Sequence, residues 1–198
     1  WVEGAFAEAN DLRGMYDLMI DLRKEPGFIK ELVEICLEQG LLFVREQMKA
    51  GAQFIGIGDA AASLVSPKMY QEIVLPAEKA LIDEIHKNGA KAKLHICGNI
   101  THLLPDMVNL GADIVDIDYM VDYDHAMQLA RGKCSICGHI NPAAVILQGS
   151  VADVEEATRF CLAHSTPTSL VSSGCEVPKM TPVENMAAID RVLRAEAK

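Results

Sequence analysis

The sequence predicts an α/β fold of the (β/α)8, TIM-barrel type, and three observations lead there. Short apolar runs alternate with longer amphipathic segments along the whole chain, the signature of βα units around a parallel sheet. Six such units fit into 198 residues, where a complete eight-unit barrel typically needs about 250, so the chain reads as most of a barrel. The first apolar run is followed by Gly4-Ala5-Phe6-Ala7 and not by the Gly-rich phosphate turn that a doubly wound nucleotide-binding sheet carries. No linker or low-complexity tract interrupts the pattern, so residues 1–198 form a single domain. A domain of this length buries roughly 70% of its unfolded surface and needs no metal or disulfide merely to hold a core.

The expected strands are 1–6, 53–58, 92–97, 112–117, 135–140 and 169–173, each short and rich in Val, Ile or Leu. Pro26 opens a helix over 27–39 that continues into 41–50. Ser66-Pro67 places a capping hydroxyl before a helix-initiating proline, and that helix runs to Asn88-Gly89. Thr101 caps a short helix through 109, Asp122 another through 131, and residues 151–153 begin one that ends near His164. Thr181-Pro182-Val183-Glu184 has the form of a capping box and opens the final helix.

Eighteen basic against 28 acidic side chains give a formal charge of −10, the wrong sign for a nucleic-acid partner. No apolar run is long enough to span a bilayer, and Glu3, Glu8, Asp11, Arg13 and Asp17 are too many charges for a signal peptide, so a cytoplasmic protein without a membrane partner is expected. In that setting the six cysteines are expected as thiols, some of them metal ligands.

The chemistry begins at Leu94-His95-Ile96-Cys97-Gly98, where a strand ends. Alternating side chains put His95 and Cys97 on one face about 7 Å apart at the backbone, within reach of one ion. A buried thiol beside a hydrogen-bonded imidazole is the equally weighted alternative. Ser172-Ser173-Gly174-Cys175 ends another strand far along the chain, and only a closed fold can bring Cys175 to Cys97. Two thiolates and one imidazole are the donor set of a zinc site with its fourth position open, the count of catalytic and not structural zinc. Cys134-Ser135-Ile136-Cys137 lacks the second pair of a zinc knuckle and the helix N-terminus of a redox motif, so it reads as a decoy. Cys36 and Cys161 read as core residues, and His86, His102, His125 and His164 as surface ones. Asp59, Asp118 and Asn141 stand at other strand ends, each with a helix cap or turn as the alternative role. Asp59, among small residues in Gly58-Asp59-Ala60-Ala61-Ala62-Ser63, is the strongest of the three as a site residue.

Taken in order, Gly58-Asp59-Ala60-Ala61-Ala62-Ser63 with Ser66-Pro67, His95-x-Cys97-Gly98, Asn141-Pro142, Gly174-Cys175 and Thr181-Pro182-x-Glu184-Asn185 resemble the uroporphyrinogen decarboxylase superfamily. They resemble most its methylcobalamin:coenzyme M methyltransferase branch, because both thiols and His95 are in place where the decarboxylases have neither pattern. The resemblance implies a uroporphyrinogen decarboxylase-like barrel without its first strands, the site at the strand C-termini, and zinc on His95, Cys97 and Cys175. It further implies Asp59 as a catalytic residue near the substrate, Asp118 and Asn141 as cofactor-binding positions, and methyl transfer from methylcobalamin to a small thiol such as coenzyme M. The chain has no cobalamin-binding Asp-x-His-x-x-Gly, so the methylcobalamin is expected on a partner corrinoid protein. Exposed barrel edges make a homo-oligomer the expectation. The rival readings are a decarboxylase-like porphyrinogen enzyme and an inactive corrinoid-protein-binding module.

Overall fold

In the computed structural model, which describes residues 1–196, six strands lie side by side in chain order and every neighbouring pair is parallel. They are β1 (Val2–Glu3), β2 (Phe54–Gly58), β3 (Lys91–His95), β4 (Ile114–Ile117), β5 (Ser135–Ile140) and β6 (Leu170–Ser173). Parallel neighbours in sequence order with helical crossovers are the wall of a βα barrel. Among the described residues β1 pairs with β2 alone and β6 with β5 alone, so the wall is open between them.

The first expected strand is mostly helix. After two residues Gly4 turns the chain, its N–H donating to Gly58 O at 2.7 Å, and α1 (Ala5–Arg13) begins in an alanine-rich stretch with high helix propensity. Gly14 separates α1 from α2 (Met15–Lys24), and neither helix was expected. The two segments anticipated at 27–39 and 41–50 form one helix, α3 (Pro26–Lys49). Gly40 does not break it, because burial of Ile29, Val33, Cys36 and Val44 along α3 outweighs a single glycine worth about 1 kcal/mol.

Ser66 caps the next helix as expected, accepting from Met69 N at 3.3 Å. Pro76 has no N–H to give, and the helix passes it by widening into a π turn (Tyr70–Val74) between α4 (Pro67–Met69) and α5 (Leu75–Lys87). Asn99, not Thr101, organises the turn before α6 (Leu104–Met107), its Oδ1 accepting from Thr101 N and Oγ1. Asp122 caps α7 (Tyr123–Ala130) through His125 N at 2.7 Å. Ser150 and Asp153 close a reciprocal capping box on α8 (Val151–His164). The box expected at Thr181 is absent: its hydroxyl is buried without a partner, and α9 (Val183–Glu196) starts from Pro182 O. Asn185 holds α9 in place, its Nδ2 donating to Ile146 O and Gly149 O at 2.9 Å each.

Period two along the strands separates two environments. Ile55, Ile57, Leu94, Ile96, Val115, Ile117 and Ile136 point outward into a continuous core shared with Phe6, Leu18, Leu81, Ile82 and Ile85. The inward residues are Gly56, Gly58, Lys93, His95, Asp116 and Cys137, small or polar, and they surround the inside of the barrel wall.

Candidate metal centre

His95 is the last residue of β3, Cys97 follows two residues on, and Cys175 lies just past β6. The fold closes the 78-residue separation: His95 Nε2 is 3.1 Å from Cys97 Sγ, and Cys97 Sγ is 3.4 Å from Cys175 Sγ. All three donor atoms fall within 4.8 Å of one another. His95 Nδ1 sits 3.1 Å from the Asp116 carbonyl, which can only accept, so the proton is on Nδ1 and the Nε2 lone pair faces the sulfurs. A carbonyl behind a ligating imidazole is the usual means of holding its tautomer and orientation.

Glycines and one aspartate bring the two cysteines together. Gly98, at φ +84°, takes the chain sharply away from Cys97, and its N–H donates to Asp118 Oδ2 at 2.7 Å. The other oxygen, Asp118 Oδ1, accepts from Tyr119 N at 2.7 Å, so a buried carboxylate ties the end of β3 to the end of β4. Gly174 N donates to Ile140 O at 2.8 Å, and a Cβ there would stand 2.6 Å from Tyr119 N. Only glycine permits this approach, which delivers Cys175 to Cys97.

Burial, with Cys175 as hydrogen-bond partner, pushes the Cys97 thiol up to about 12. Cys97 is thus protonated in the bare chain near neutral pH, and a divalent cation is what would make a thiolate of it. The donor chemistry fits zinc: two sulfurs and one imidazole, with tetrahedral edges for 2.0–2.3 Å bonds of about 3.5–3.8 Å, near the separations found.

The centre opens on a cavity of about 790 Å³ inside the wall, with Lys93, Asp116, Ser172 and the apolar residues Met186, Ile189 and Leu193 of α9 on its sides. Lys93 and Asp116 escaped the sequence reading. The signal was present in strand periodicity, since Lys93 is two residues before His95 and Asp116 is its registered partner on β4.

The other expected site residues are not part of the three-donor cluster, although Asp59 N donates to His95 O at 2.9 Å. Asp59 is completely buried between two residues of the cavity wall, Gly58 and Ala60, but its carboxylate turns outward against Gly4 and the first turn of α1. Burial raises it to about 7, opposed by the amides of Ala7 and Phe6 at that helix start. Behind it, Tyr70 donates to buried Glu78 at 2.5 Å, and burial holds Glu78 well above the usual carboxylate range. Asn141 caps the π turn Pro142–Leu147 that follows β5, accepting from Ala143 N and Ala144 N. Cys134 and Cys137 join no cluster of metal donors among the described residues, and Cys36 and Cys161 are buried.

Residues 2–195 match the profile of the family described as Uroporphyrinogen decarboxylase (URO-D). Among curated proteins the chain is similar to methylcobamide:CoM methyltransferase MtbA of Methanosarcina acetivorans, 29% identical over 160 residues, which is 80% of this chain and 46% of the relative. It is also similar to methylated-thiol–coenzyme M methyltransferase of Methanosarcina mazei, 27% identical, covering 96% of this chain and 50% of the relative. Uroporphyrinogen decarboxylase of Carboxydothermus hydrogenoformans is 26% identical over 78% of this chain and 44% of its own. The chain therefore spans about half the length of these relatives. A solved structure described as a methyltransferase from Methanosarcina mazei superposes with a TM-score of 0.89 at 21% identity, covering 98% of this chain and 57% of the other, and shows the same fold. With its barrel wall and a profile match over nearly its whole length, the chain belongs to the uroporphyrinogen decarboxylase family.

Proposed function

We propose that the protein is a zinc-dependent methyltransferase that moves a methyl group from a methylated corrinoid protein to a small thiol such as coenzyme M. The convergence of His95 and Cys97, at the end of the third strand, with Cys175, just past the last, carries this reading. Relatives named as methylcobamide:CoM methyltransferases support it.

His95, Cys97 and Cys175 would hold the zinc, with a fourth position left for the acceptor sulfur. Zinc bound there would supply what a free thiol lacks near pH 7, a lowered pKa and hence a nucleophilic thiolate. The chain's own residues set up that centre. The Asp116 carbonyl keeps the proton of His95 on Nδ1, and Asp118 steadies the turn that presents Cys97. The cavity offers apolar walls from α9 beside the sulfurs. Asp59 is assigned a supporting part at the end of β2, where its N–H donates to His95 O at 2.9 Å, and Asn141 one at the end of β5, where it caps the turn that follows. A decarboxylase would have no use for two thiols and an imidazole focused on one point, which favours methyl transfer over that activity.

The test is elemental analysis of purified wild type beside Cys175→Ser, followed by incubation with methylcobalamin and a thiol. About one zinc per wild-type chain, little in the variant, and release of cob(I)alamin by wild type alone are expected. Full zinc occupancy in Cys175→Ser would overturn the assignment of the centre. Zinc without methyl transfer, with a methylated corrinoid protein supplied, would leave a binding module.

A further inference from the structure

Cys97 and Cys175 meet more closely than a shared ion requires. Two Zn–S bonds of about 2.3 Å hold their sulfurs about 3.8 Å apart across a tetrahedron, and a disulfide holds them at about 2.05 Å. Here the two Sγ atoms are 3.4 Å apart, between the two arrangements and short of the first. Neither cysteine lies within a strand or a helix: Cys97 stands between β3 and Gly98, and Cys175 follows Gly174 just past β6. The remaining gap therefore falls to residues that no ladder of backbone hydrogen bonds holds. Both cysteines line the open cavity of about 790 Å³, so a small molecule can reach them. The other four cysteines are placed differently. Cys137 is buried, with Ser172 Oγ at 3.1 Å and Lys93 Nζ at 3.8 Å as its partners, and Cys36 and Cys161 are buried as well. Cys134 is half-buried and does not line this cavity.

We infer that Cys97 and Cys175 form a site of thiol–disulfide exchange, where a small-molecule disulfide oxidises the metal-free pair to a bridge that excludes the ion. The inference needs the two thiols and not methyl transfer, so it goes beyond the proposed function. The exchange has two steps. One cysteine, as its thiolate, attacks a sulfur of the small disulfide, forming a mixed disulfide and expelling one small thiolate. The second cysteine then attacks the first one's sulfur, which forms the Sγ–Sγ bond and expels the other small thiolate. The two protons that the cysteines carried end on the two released thiols, and the two electrons the pair loses reduce the small disulfide. At 3.4 Å the second sulfur already stands at near-attack distance, which makes closure effectively unimolecular. Bridged sulfurs are no longer thiolates, and His95 is then the one donor left of three, too few to hold zinc. The bridge ties the same two places, separated by 78 residues, that the ion would tie. A neutral disulfide suits a chain of formal charge −10 whose cavity also bears Glu3, Glu176 and Asp190.

The test treats wild type, stripped of metal by a chelator, with bis(2-hydroxyethyl) disulfide, then alkylates the unfolded chain with N-ethylmaleimide and digests it for mass spectrometry. A peptide pair joined through Cys97 and Cys175 is expected, with the other four cysteines alkylated. Zinc at ten times its dissociation constant leaves about one tenth of the pair free, so it should slow the bridge about tenfold. The bridged chain should take up no zinc until a phosphine reductant opens it. Cys97→Ser and Cys175→Ser should each stop at a mixed disulfide on the remaining cysteine of the pair, and Cys134→Ser should bridge as wild type does. Mixed disulfides that never resolve in wild type, a bridge between Cys134 and Cys137 in its place, or full zinc uptake by the bridged chain would each overturn the exchange site. A bridge in a chain that never retains zinc would sink the metal centre and with it the proposed function, and leave the bridge standing. Zinc retained by a chain that forms no bridge would do the reverse.

Discussion

Gly138 sits at φ +104° in β5, and a Cβ there would run into the Ile117 carbonyl and lie 2.8 Å from Asp116 Oδ1. Both are parts of the wall that positions His95. The next residue, His139, also takes a positive φ of 88°, so two consecutive residues bend β5 where it passes the centre. The bend sends the His139 ring against Tyr123, with centroids 4.9 Å apart, and leaves Cys137 facing inward beside Ser172. Gly138→Ala combines a strained backbone with a backbone collision, and should destabilise the fold by about 3 kcal/mol or more. Gly132→Ala is the control: its φ is +74°, but open space surrounds its Cβ position, so about 1 kcal/mol is expected. Thermal unfolding of the two variants side by side checks this, and equal shifts in midpoint would refute the packing argument. At this scale the nearness of His95, Cys97 and Cys175 was legible from sequence, because strand alternation puts the first two on one face and strand-end position puts the third at the same end of the wall, while zinc as their shared ligand rested on the family resemblance. Asp59 was not, since nothing in Gly58-Asp59-Ala60 tells which way a residue turns after a strand ends, and here it turns to the start of α1.

Among the elements, β3, β4 and α5 are joined by one side chain. Asp113, just ahead of β4, accepts from Ala92 N at 2.9 Å and Lys91 Nζ at 2.7 Å, and contacts His86 Nε2 at 2.7 Å. Burial opposes its charge, but the Lys91, Ala92 and His86 contacts together prevail and bring it down to about 2. A carboxylate whose folded pKa is depressed stabilises the fold above its unfolded pKa near 4 and loses that contribution as pH falls through the folded value. Between about pH 4 and pH 2 wild type should therefore lose about 1–2 kcal/mol that Asp113→Asn lacks from the outset. Urea melts at pH 7, 4 and 2 measure it, and a variant that stays equally weaker at pH 2 would contradict the linkage. Elements with a local stop signal were read well from sequence: Ser66, Asp122 and the start of α8 cap where expected. Those decided by tertiary contact were not. The run at 1–6 has the composition of a strand, yet only Val2 and Glu3 find a partner on β2 before Gly4 turns the chain into α1. Thr181 has the letters of a capping box, but Pro182 starts the helix and Asn185 turns to the carbonyls of Ile146 and Gly149.

For the whole molecule, alternating strand and helix periods made the barrel class legible, because a parallel strand needs a crossover and each crossover leaves its own amphipathic stretch. Sequence order could not show where the wall opens, since pairing between β1 and β6 is a property of closure and not of any one segment. The three candidate donors bear on this question. His95 and Cys97 belong to the middle of the sheet, while Cys175 follows its last strand, so an ion held by all three would link β3 to the segment beyond β6. A ligand that binds only the folded arrangement stabilises it by about 2.7 kcal/mol at one hundred times its dissociation constant. For a domain of about 200 residues that corresponds to a rise in thermal midpoint of roughly 5–10 °C. Zinc should produce this rise in wild type, EDTA should reverse it, and Cys175→Ser should respond to neither. Hydrogen exchange should slow on zinc binding at residues 95–98 and 172–176 together, while α2, which contributes no donor, remains unchanged. A midpoint that rises equally in Cys175→Ser, or protection confined to residues 95–98, would mean that the end of β6 is not tied to β3 by the ion.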